Sequence, residues 1–175
     1  MLFLGHLGIG YKCASLFSKN LSKKWVFLGT VLPDLIDKPL YYGICWIYGT
    51  RGAENGLISC TRTLGHSGLF ILLLCGISIF KGSTKTFACL IGVLTHLFLD
   101  IFGDRFDYFN NSSTIKALLF PVFNQKFHIM LAANIHTHAQ HYASHKIYFL
   151  AELIGFIFLC HEYYLYKKST RDFSH

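Results

Sequence analysis

The chain has 175 residues, of which 53% are hydrophobic, 17% aromatic and 14% charged. Soluble domains carry about 25% charged residues, so this composition is typical of a membrane protein. The net charge of +7 could indicate a nucleic-acid partner. However, the basic residues are scattered at the ends of apolar segments, as interfacial anchors are, and we expect no nucleic-acid binding. A membrane span needs about 20 apolar residues, so we expect one membrane-embedded domain over residues 1–175.

The first two apolar segments differ in length and in proline content. Residues 2–17 are apolar and rich in glycine, which predicts a short helix packed closely on its neighbours. Residues 25–48 form a longer apolar stretch that contains Pro33 and Pro39. Because proline lacks a backbone donor, we predict that this helix is broken at Pro33.

The remaining apolar segments alternate with short polar connections. Residues 49–63 are polar and predict a loop, and residues 66–80 predict a helix. A tight turn over residues 81–85 would join it to an antiparallel helix over residues 86–103. Residues 147–166 predict the last span. The expected fold is therefore an all-α membrane bundle with about four spanning helices, and between three and five.

The strongest local motif is His96-x-x-x-Asp100. A spacing of four places both side chains on one face of a helix, so both can reach one metal ion. An ionisable pair in an apolar helix is costly, and we expect it to be buried with a partner or a metal. The alternative is a histidine and an aspartate bonded only to each other.

Asp34 and Asp37 follow Pro33 and can point the same way near a helix start. Carboxylate oxygens facing a histidine and an aspartate suit a bridging position in a metal site. We expect Asp34 to be a ligand and Asp37 to be a further ligand or the general base. The alternative is a helix-capping cluster paired with Lys38.

Three more residues belong to this candidate site. His66 is expected to open the third helix, and His6 lies in the first. Each is better supported as a metal ligand because other apolar segments also carry His or Asp residues. Arg62 is a candidate for binding an anionic oxygen, because its guanidinium matches phosphate or carboxylate. The alternative for Arg62 is a loop residue in contact with lipid headgroups.

Another histidine-rich stretch lies toward the carboxyl end, with His136, His138, His141 and His145. Such tracts bind metals readily without being catalytic. We assign these four residues no role.

Five stretches of the chain form a recognisable series: His6-Leu7-Gly8, Leu32-Pro33-Asp34-Leu35-Ile36-Asp37, Arg62-Thr63-Leu64-Gly65-His66-Ser67, Gly92-Val93-Leu94-Thr95-His96-Leu97-Phe98-Leu99-Asp100 and Leu119-Phe120-Pro121. In their order and context they resemble a family of small bacterial inner-membrane proteins described as YdjM/YbcI-like membrane-bound metal-dependent hydrolases. Together the five stretches extend over residues 6 to 121. The resemblance implies a helical protein of the bacterial inner membrane with a hydrolytic metal site.

More distantly, the order His, Asp, His and His-x-x-x-Asp looks like the ligand order of zinc-dependent phospholipase C and related single-strand nucleases. Those enzymes cut phosphodiesters with clustered zinc ions. This chain lacks their processed amino-terminal ligand and a clear His-x-x-x-Glu after Asp100. We therefore expect fewer than three ions.

These patterns predict that one or two divalent ions, expected to be zinc, bind to His6, Asp34, His66, His96 and Asp100. A bound metal lowers the pKa of water from about 15.7 to about 7, so it supplies a nucleophile at neutral pH. With Arg62 holding an anionic group, we expect the substrate to be a phosphoester of a lipid or a lipid-linked phosphate. The alternative function is a metal-ion or proton transporter, because intramembrane His and Asp also mark ion pathways.

Sidedness follows from the Lys and Arg residues of successive connections. They are in excess on the side that holds residues 18–24, the turn at 81–85 and the end of the chain. Because cytoplasmic connections carry the excess of basic residues, the site is expected to lie toward the non-cytoplasmic leaflet.

Overall fold

The computed structural model describes residues 3–17, 21–107, 113–123, 126–130 and 135–172. Within these residues all regular structure is helical, which confirms the expected all-α class. In chain order the helices are α1 (Phe3–Phe17), α2 (Lys23–Tyr48), α3 (Gly68–Lys81), α4 (Thr84–Asp104), α5 (Ser113–Leu118), α6 (Ile135–Ser144) and α7 (Lys146–Asp172).

Helix α2 is continuous through Pro33 and Pro39, so the predicted break at Pro33 is wrong. An internal proline costs a helix about 3 kcal/mol or more, because it removes one hydrogen bond and crowds the preceding turn. In this chain α2 packs along α4 in the largest helix–helix contact of the described residues. Burial of one face of α2 offsets the cost of the two prolines, and the local sequence does not reveal that packing.

Helices α2 and α4 approach closely where Gly29 meets Gly92. A Cβ atom built on Gly92 would lie 2.4 Å from the Val26 carbonyl oxygen, and one built on Gly29 would lie 2.1 Å from the Cys89 carbonyl oxygen. Only glycine fits at such a backbone contact. The close approach brings the backbone of α2 within reach of side chains on α4.

Helix α1 packs against α2, α4 and α7. At its contact with α7, a Cβ atom on Gly8 would lie 2.0 Å from the Gly155 carbonyl oxygen. Near its start, Leu4 N–H donates a 2.8 Å hydrogen bond to a carboxylate oxygen of Glu152 on α7. Helix α7 therefore holds in place the segment that carries His6.

Helices α3 and α4 form an antiparallel hairpin, as predicted. Helix α3 ends at Lys81, Gly82 adopts the left-handed conformation with φ 54°, and α4 begins at Thr84. At the other end, the Ser67 hydroxyl accepts a hydrogen bond from Phe70 N–H and caps α3. The loop that precedes α3 and the last turns of α4 therefore lie at the same end of the hairpin.

Two of the described helices are long and apolar enough to cross a membrane, namely Thr84–Asp104 and the Lys146–Lys168 part of α7. Helix α3 is apolar but has only 14 residues. Helix α2 is long, but its middle carries charged residues. The two apolar helices differ in burial: α4 is largely covered by other helices, as the core helix of a soluble protein can also be, whereas α7 is mostly exposed.

Candidate metal centre

The structure brings the five predicted ligands together from α1, α2, α4 and the loop before α3. Two overlapping groups have ligand atoms within 4.8 Å of one another, one formed by His6, His96 and Asp100 and the other by Asp34, His66 and His96. The three histidines and Asp100 are buried, and Asp34 is half-buried. These residues could hold a metal ion.

Three ligand atoms form a compact triangle at the centre of this cluster. His66 Nε2 lies 3.2 Å from His96 Nε2, and Asp100 Oδ2 lies 3.3 Å from His66 Nε2 and 3.6 Å from His96 Nε2. Ligands about 2.0–2.1 Å from a tetrahedral zinc ion are about 3.3–3.4 Å apart. The triangle therefore matches the spacing of three ligands around one ion.

The hydrogen bonds of the other ring nitrogens determine the tautomers of His66 and His96. His66 Nδ1 lies 2.7 Å from Asp37 Oδ2, and His96 Nδ1 lies 2.8 Å from the Thr30 carbonyl oxygen. Both oxygens are acceptors only, so both Nδ1 atoms carry the proton. In the neutral rings each Nε2 then presents a lone pair, and two lone pairs 3.2 Å apart favour a cation near both.

His6 adds a third imidazole to the cluster. Its ring stacks on that of His96 with the centroids 4.0 Å apart, and its Nε2 lies 3.3 Å from Asp100 Oδ1. Its Nδ1 is buried and has no hydrogen-bond partner among the described residues. An unsatisfied buried nitrogen is costly in a folded protein. The environment of His6 is therefore also consistent with a metal ion bound at this ring.

Asp37 faces His66 and the loop before α3. One carboxylate oxygen accepts from Thr63 N–H at 2.7 Å and from His66 Nδ1. The other accepts from Gly65 N–H at 2.9 Å and from the Thr63 hydroxyl at 3.1 Å. Asp37 belongs to neither group of potential ligands. These hydrogen bonds make Asp37 the partner that orients His66, and its part as a further ligand or general base stays a prediction.

Asp34 belongs to the second ligand group and also pairs with Lys38. The Lys38 ammonium donates a 2.5 Å hydrogen bond to Asp34 Oδ2. This is the pairing of the capping alternative, but both residues lie within α2 and not at its start. Asp34 is therefore both a potential ligand and half of an ion pair.

Arg62 lies between two buried carboxylates. Its Nε is 3.0 Å from Asp100 Oδ2, and its Nη1 bonds to Asp104 Oδ1 and, at 2.6 Å, to the Ser113 hydroxyl. The Arg62 side chain is only 7% exposed. The charge of Arg62 is thus already paired with Asp100 and Asp104, and its part as the substrate's anion-binding group stays a prediction.

Sequence reasoning missed two partners of the site. Asp104 lies one turn beyond Asp100, holds Arg62 and accepts a 3.0 Å hydrogen bond from Thr114 N–H. Its spacing of four from Asp100 was a readable signal. The Thr30 carbonyl that orients His96 is a backbone atom, so no residue type could have indicated it.

The protonation of two loop side chains follows from their surroundings. Burial favours neutral His66, but the hydrogen bonds and charges of Asp100 and Asp37 outweigh it and raise the pKa of His66 above its ordinary value. Asp100 thus favours a positive charge at His66 Nε2, the position that a metal ion would take from the proton. Burial raises the pKa of the Cys60 thiol to about 12. Cys60 therefore stays protonated, and its Sγ donates to the Arg62 carbonyl at 3.0 Å instead of serving as a thiolate ligand.

The carboxyl-terminal histidines that the structure describes are separate from this centre. His136 is exposed on α6, and His145 lies 5.0 Å from the Tyr148 ring, centroid to centroid. Neither belongs to the two ligand groups. The side chains of His138 and His141 lie outside the described part of the chain.

Comparison of the chain with protein-family models, with curated proteins and with solved structures found no match. The function is therefore inferred from the geometry of the His and Asp cluster. Its donor set is mainly imidazole nitrogen with carboxylate oxygen, which suits zinc and related transition metals.

Proposed function

We propose that the chain is a membrane-bound metal-dependent hydrolase, similar to the YdjM/YbcI-like family, that cleaves a phosphoester of a lipid or lipid-linked substrate. The observation that carries this proposal is the triangle of His66 Nε2, His96 Nε2 and Asp100 Oδ2, whose edges of 3.2, 3.3 and 3.6 Å suit one metal ion. The Nδ1 hydrogen bonds support it further, because they leave Nε2 of each ring as the atom that can bind a metal ion.

Charge and geometry favour a single divalent ion, proposed to be zinc, held by the triangle with His6 and Asp34 as further ligands. His96 belongs to both ligand groups, yet only its Nε2 is available, because Nδ1 is bonded to Thr30. Around the neutral histidines, the carboxylates of Asp34, Asp37, Asp100 and Asp104 outnumber the cations Arg62 and Lys38 by two. One divalent ion would balance this buried charge. Zinc supplies a Lewis acid and a nucleophile at neutral pH.

The protein's own contribution is a rigid frame around the ligands. Asp37 and the Thr30 carbonyl fix the rings of His66 and His96. Arg62 contacts Asp100 Oδ2 and is itself held by Asp104 and Ser113. Such partners orient ligands and raise metal affinity, so the frame supports a site that performs chemistry.

The membrane part of the proposal is a bundle in which α2 and α3 span with the two apolar helices α4 and α7. Its support is the mostly exposed apolar surface of α7 and the length of α2. His66, before α3, contacts Asp100, in the last turns of α4. The site would then lie at the end opposite the basic turn at 81–85, in the non-cytoplasmic leaflet of the bacterial inner membrane.

The alternative is a metal-ion or proton transporter. A conduction pathway spreads its ionisable residues across the membrane, whereas a hydrolytic site groups them at one depth. The two ligand groups share His96 and lie within a few ångströms of each other. This grouping favours the hydrolase.

Metal content and hydrolysis test the proposal together. We expect the purified protein to retain about one zinc ion per chain and to release phosphate or a phosphorylated headgroup from lipid substrates. His96→Ala and Asp100→Ala should each lose the ion and the activity, because both remove an atom of the triangle. His136→Ala is the matched control, since this exposed histidine lies outside the ligand groups.

Elemental analysis and a lipid hydrolysis assay measure these outcomes. A protein that holds no metal after gentle purification, even with added zinc or manganese, would refute the metal centre. Zinc flux into reconstituted vesicles without hydrolysis would favour the transporter.

A further inference from the structure

Exposure within the cluster changes from one side to the other. The His66 and Asp100 side chains are 0% and 2% exposed, and Arg62 is 7% exposed. By contrast, Asp34 is 18% and Lys38 31% exposed. Among these residues Asp34 and Lys38 are the most exposed, so this pair is the side from which we expect a molecule to approach the ligands.

The two cations of the cluster differ in what they can offer an incoming anion. Arg62 contacts Asp100 and Asp104, both buried, and its charge is compensated by them. Lys38 is paired with Asp34, which is itself a potential metal ligand. If Asp34 binds the ion, its charge is directed to the ion, and the Lys38 ammonium becomes available one helical turn away.

The surroundings of the pair are apolar. Leu35, which follows Asp34 in α2, is 54% exposed, and Leu64, in the loop beside α2, is 43% exposed. The Gly65 backbone next to Leu64 packs against Pro33 and Ile36, so this loop lies at the same part of α2. A ligand that combines a charged group with an apolar body would contact both the ammonium and these leucines.

From this arrangement we propose that Lys38, and not Arg62, binds the phosphate group of the substrate, and that the substrate is an anionic lipid. The inference rests on the proposed function, because it places the substrate's phosphate beside the metal ligands. Lys38 would hold an anionic oxygen as a point charge, while the acyl part lies over Leu35 and Leu64.

The test uses zinc-loaded protein in nanodiscs of zwitterionic phosphatidylcholine, with inorganic phosphate and dioctanoyl phosphatidic acid as probes. Lys38→Met should keep its zinc and lose at least about tenfold in affinity for both probes, because a hydrogen bond to a charged group is removed. Lys38→Arg should restore most of the affinity. Lys24→Met, at an exposed lysine near the start of the same helix, is the matched control and should change neither value.

The outcomes separate this inference from the proposed function. A wild-type protein without zinc refutes the metal centre. A Lys38→Met protein that holds zinc and binds phosphate as tightly as wild type refutes only the part assigned to Lys38. Phosphatidic acid binding no tighter than inorganic phosphate refutes the lipid assignment. If Lys38→Met does not fold, Lys38→Gln serves as the second variant with the same expected loss.

Discussion

Asp37 connects the middle of α2 to the loop that carries His66, and its removal tests how much this orientation contributes to metal affinity. Asp37→Asn keeps the shape but replaces one acceptor oxygen with an amide nitrogen, which can accept from neither Thr63 N–H nor His66 Nδ1. We expect zinc affinity to fall by about 10–100-fold. Competition with a chelator of known affinity measures the change.

Asp107→Asn is the matched control for that experiment. Asp107 is another buried carboxylate, and it accepts a 2.9 Å hydrogen bond from the Tyr148 hydroxyl. This variant should lose stability but keep zinc affinity within about twofold, because Asp107 is in neither ligand group. An Asp37→Asn protein with wild-type affinity would show that the loop alone orients His66.

For single residues, the sequence could predict which side chains lie in the His and Asp cluster but not which contacts each of them makes there. The spacing of His96 and Asp100 places both on one helix face, and both lie in the cluster. Asp34 and Asp37 look equivalent in the sequence, yet the loop before α3 occupies both oxygens of Asp37. The contacts of the Arg62 guanidinium likewise depend on Asp104 and Ser113, which tertiary packing places beside it.

At the scale of helices, the glycine contact between α2 and α4 determines whether Thr30 can reach His96. Gly92→Ala would place a methyl group 2.4 Å from the Val26 carbonyl oxygen and push the helices apart. We expect a loss of about 1–3 kcal/mol in stability, typical of overpacking, together with weaker zinc binding. Thermal unfolding in detergent and elemental analysis measure the two effects.

Gly76→Ala provides the comparison, because Gly76 lies within α3 and a Cβ atom there meets nothing within 4 Å. Alanine is the better helix former by about 0.8–1.0 kcal/mol, so this variant should be as stable as wild type or slightly more. Equal behaviour of the two variants would mean that the α2–α4 contact is more tolerant than the close backbone distances imply.

Helix positions were readable from apolar patterning, whereas the continuity of α2 was not. The hairpin turn lies at the predicted residues 81–85, and the last helix begins next to its predicted start at 147 but extends past the predicted end at 166 to Asp172. Pro33 and Pro39 argue locally for a break, but packing on α4 overrides that preference. Such a reversal depends on a partner far away in sequence.

At the scale of the whole molecule, the proposed orientation can be tested by labelling intact cells. In a background with Cys13, Cys75 and Cys160 changed to serine, an impermeant thiol reagent should label Ala53→Cys, in the loop after α2, but not Ser83→Cys, in the basic turn. The excess of basic residues on the side of Ser83 is the reason. Labelling of Ser83→Cys alone would reverse the orientation and put the centre at the cytoplasmic face.

The cluster joins His6 on α1 to Asp100 near the end of α4, and this separation has a consequence during synthesis. A ribosome adds about 5–20 residues per second, so His6 would be made roughly 5 to 20 s before Asp100. In that interval a nascent α1 carries a histidine without its carboxylate partner. Metal capture would therefore be a late event of biogenesis, and metal retention would report that the first and fourth helices have met.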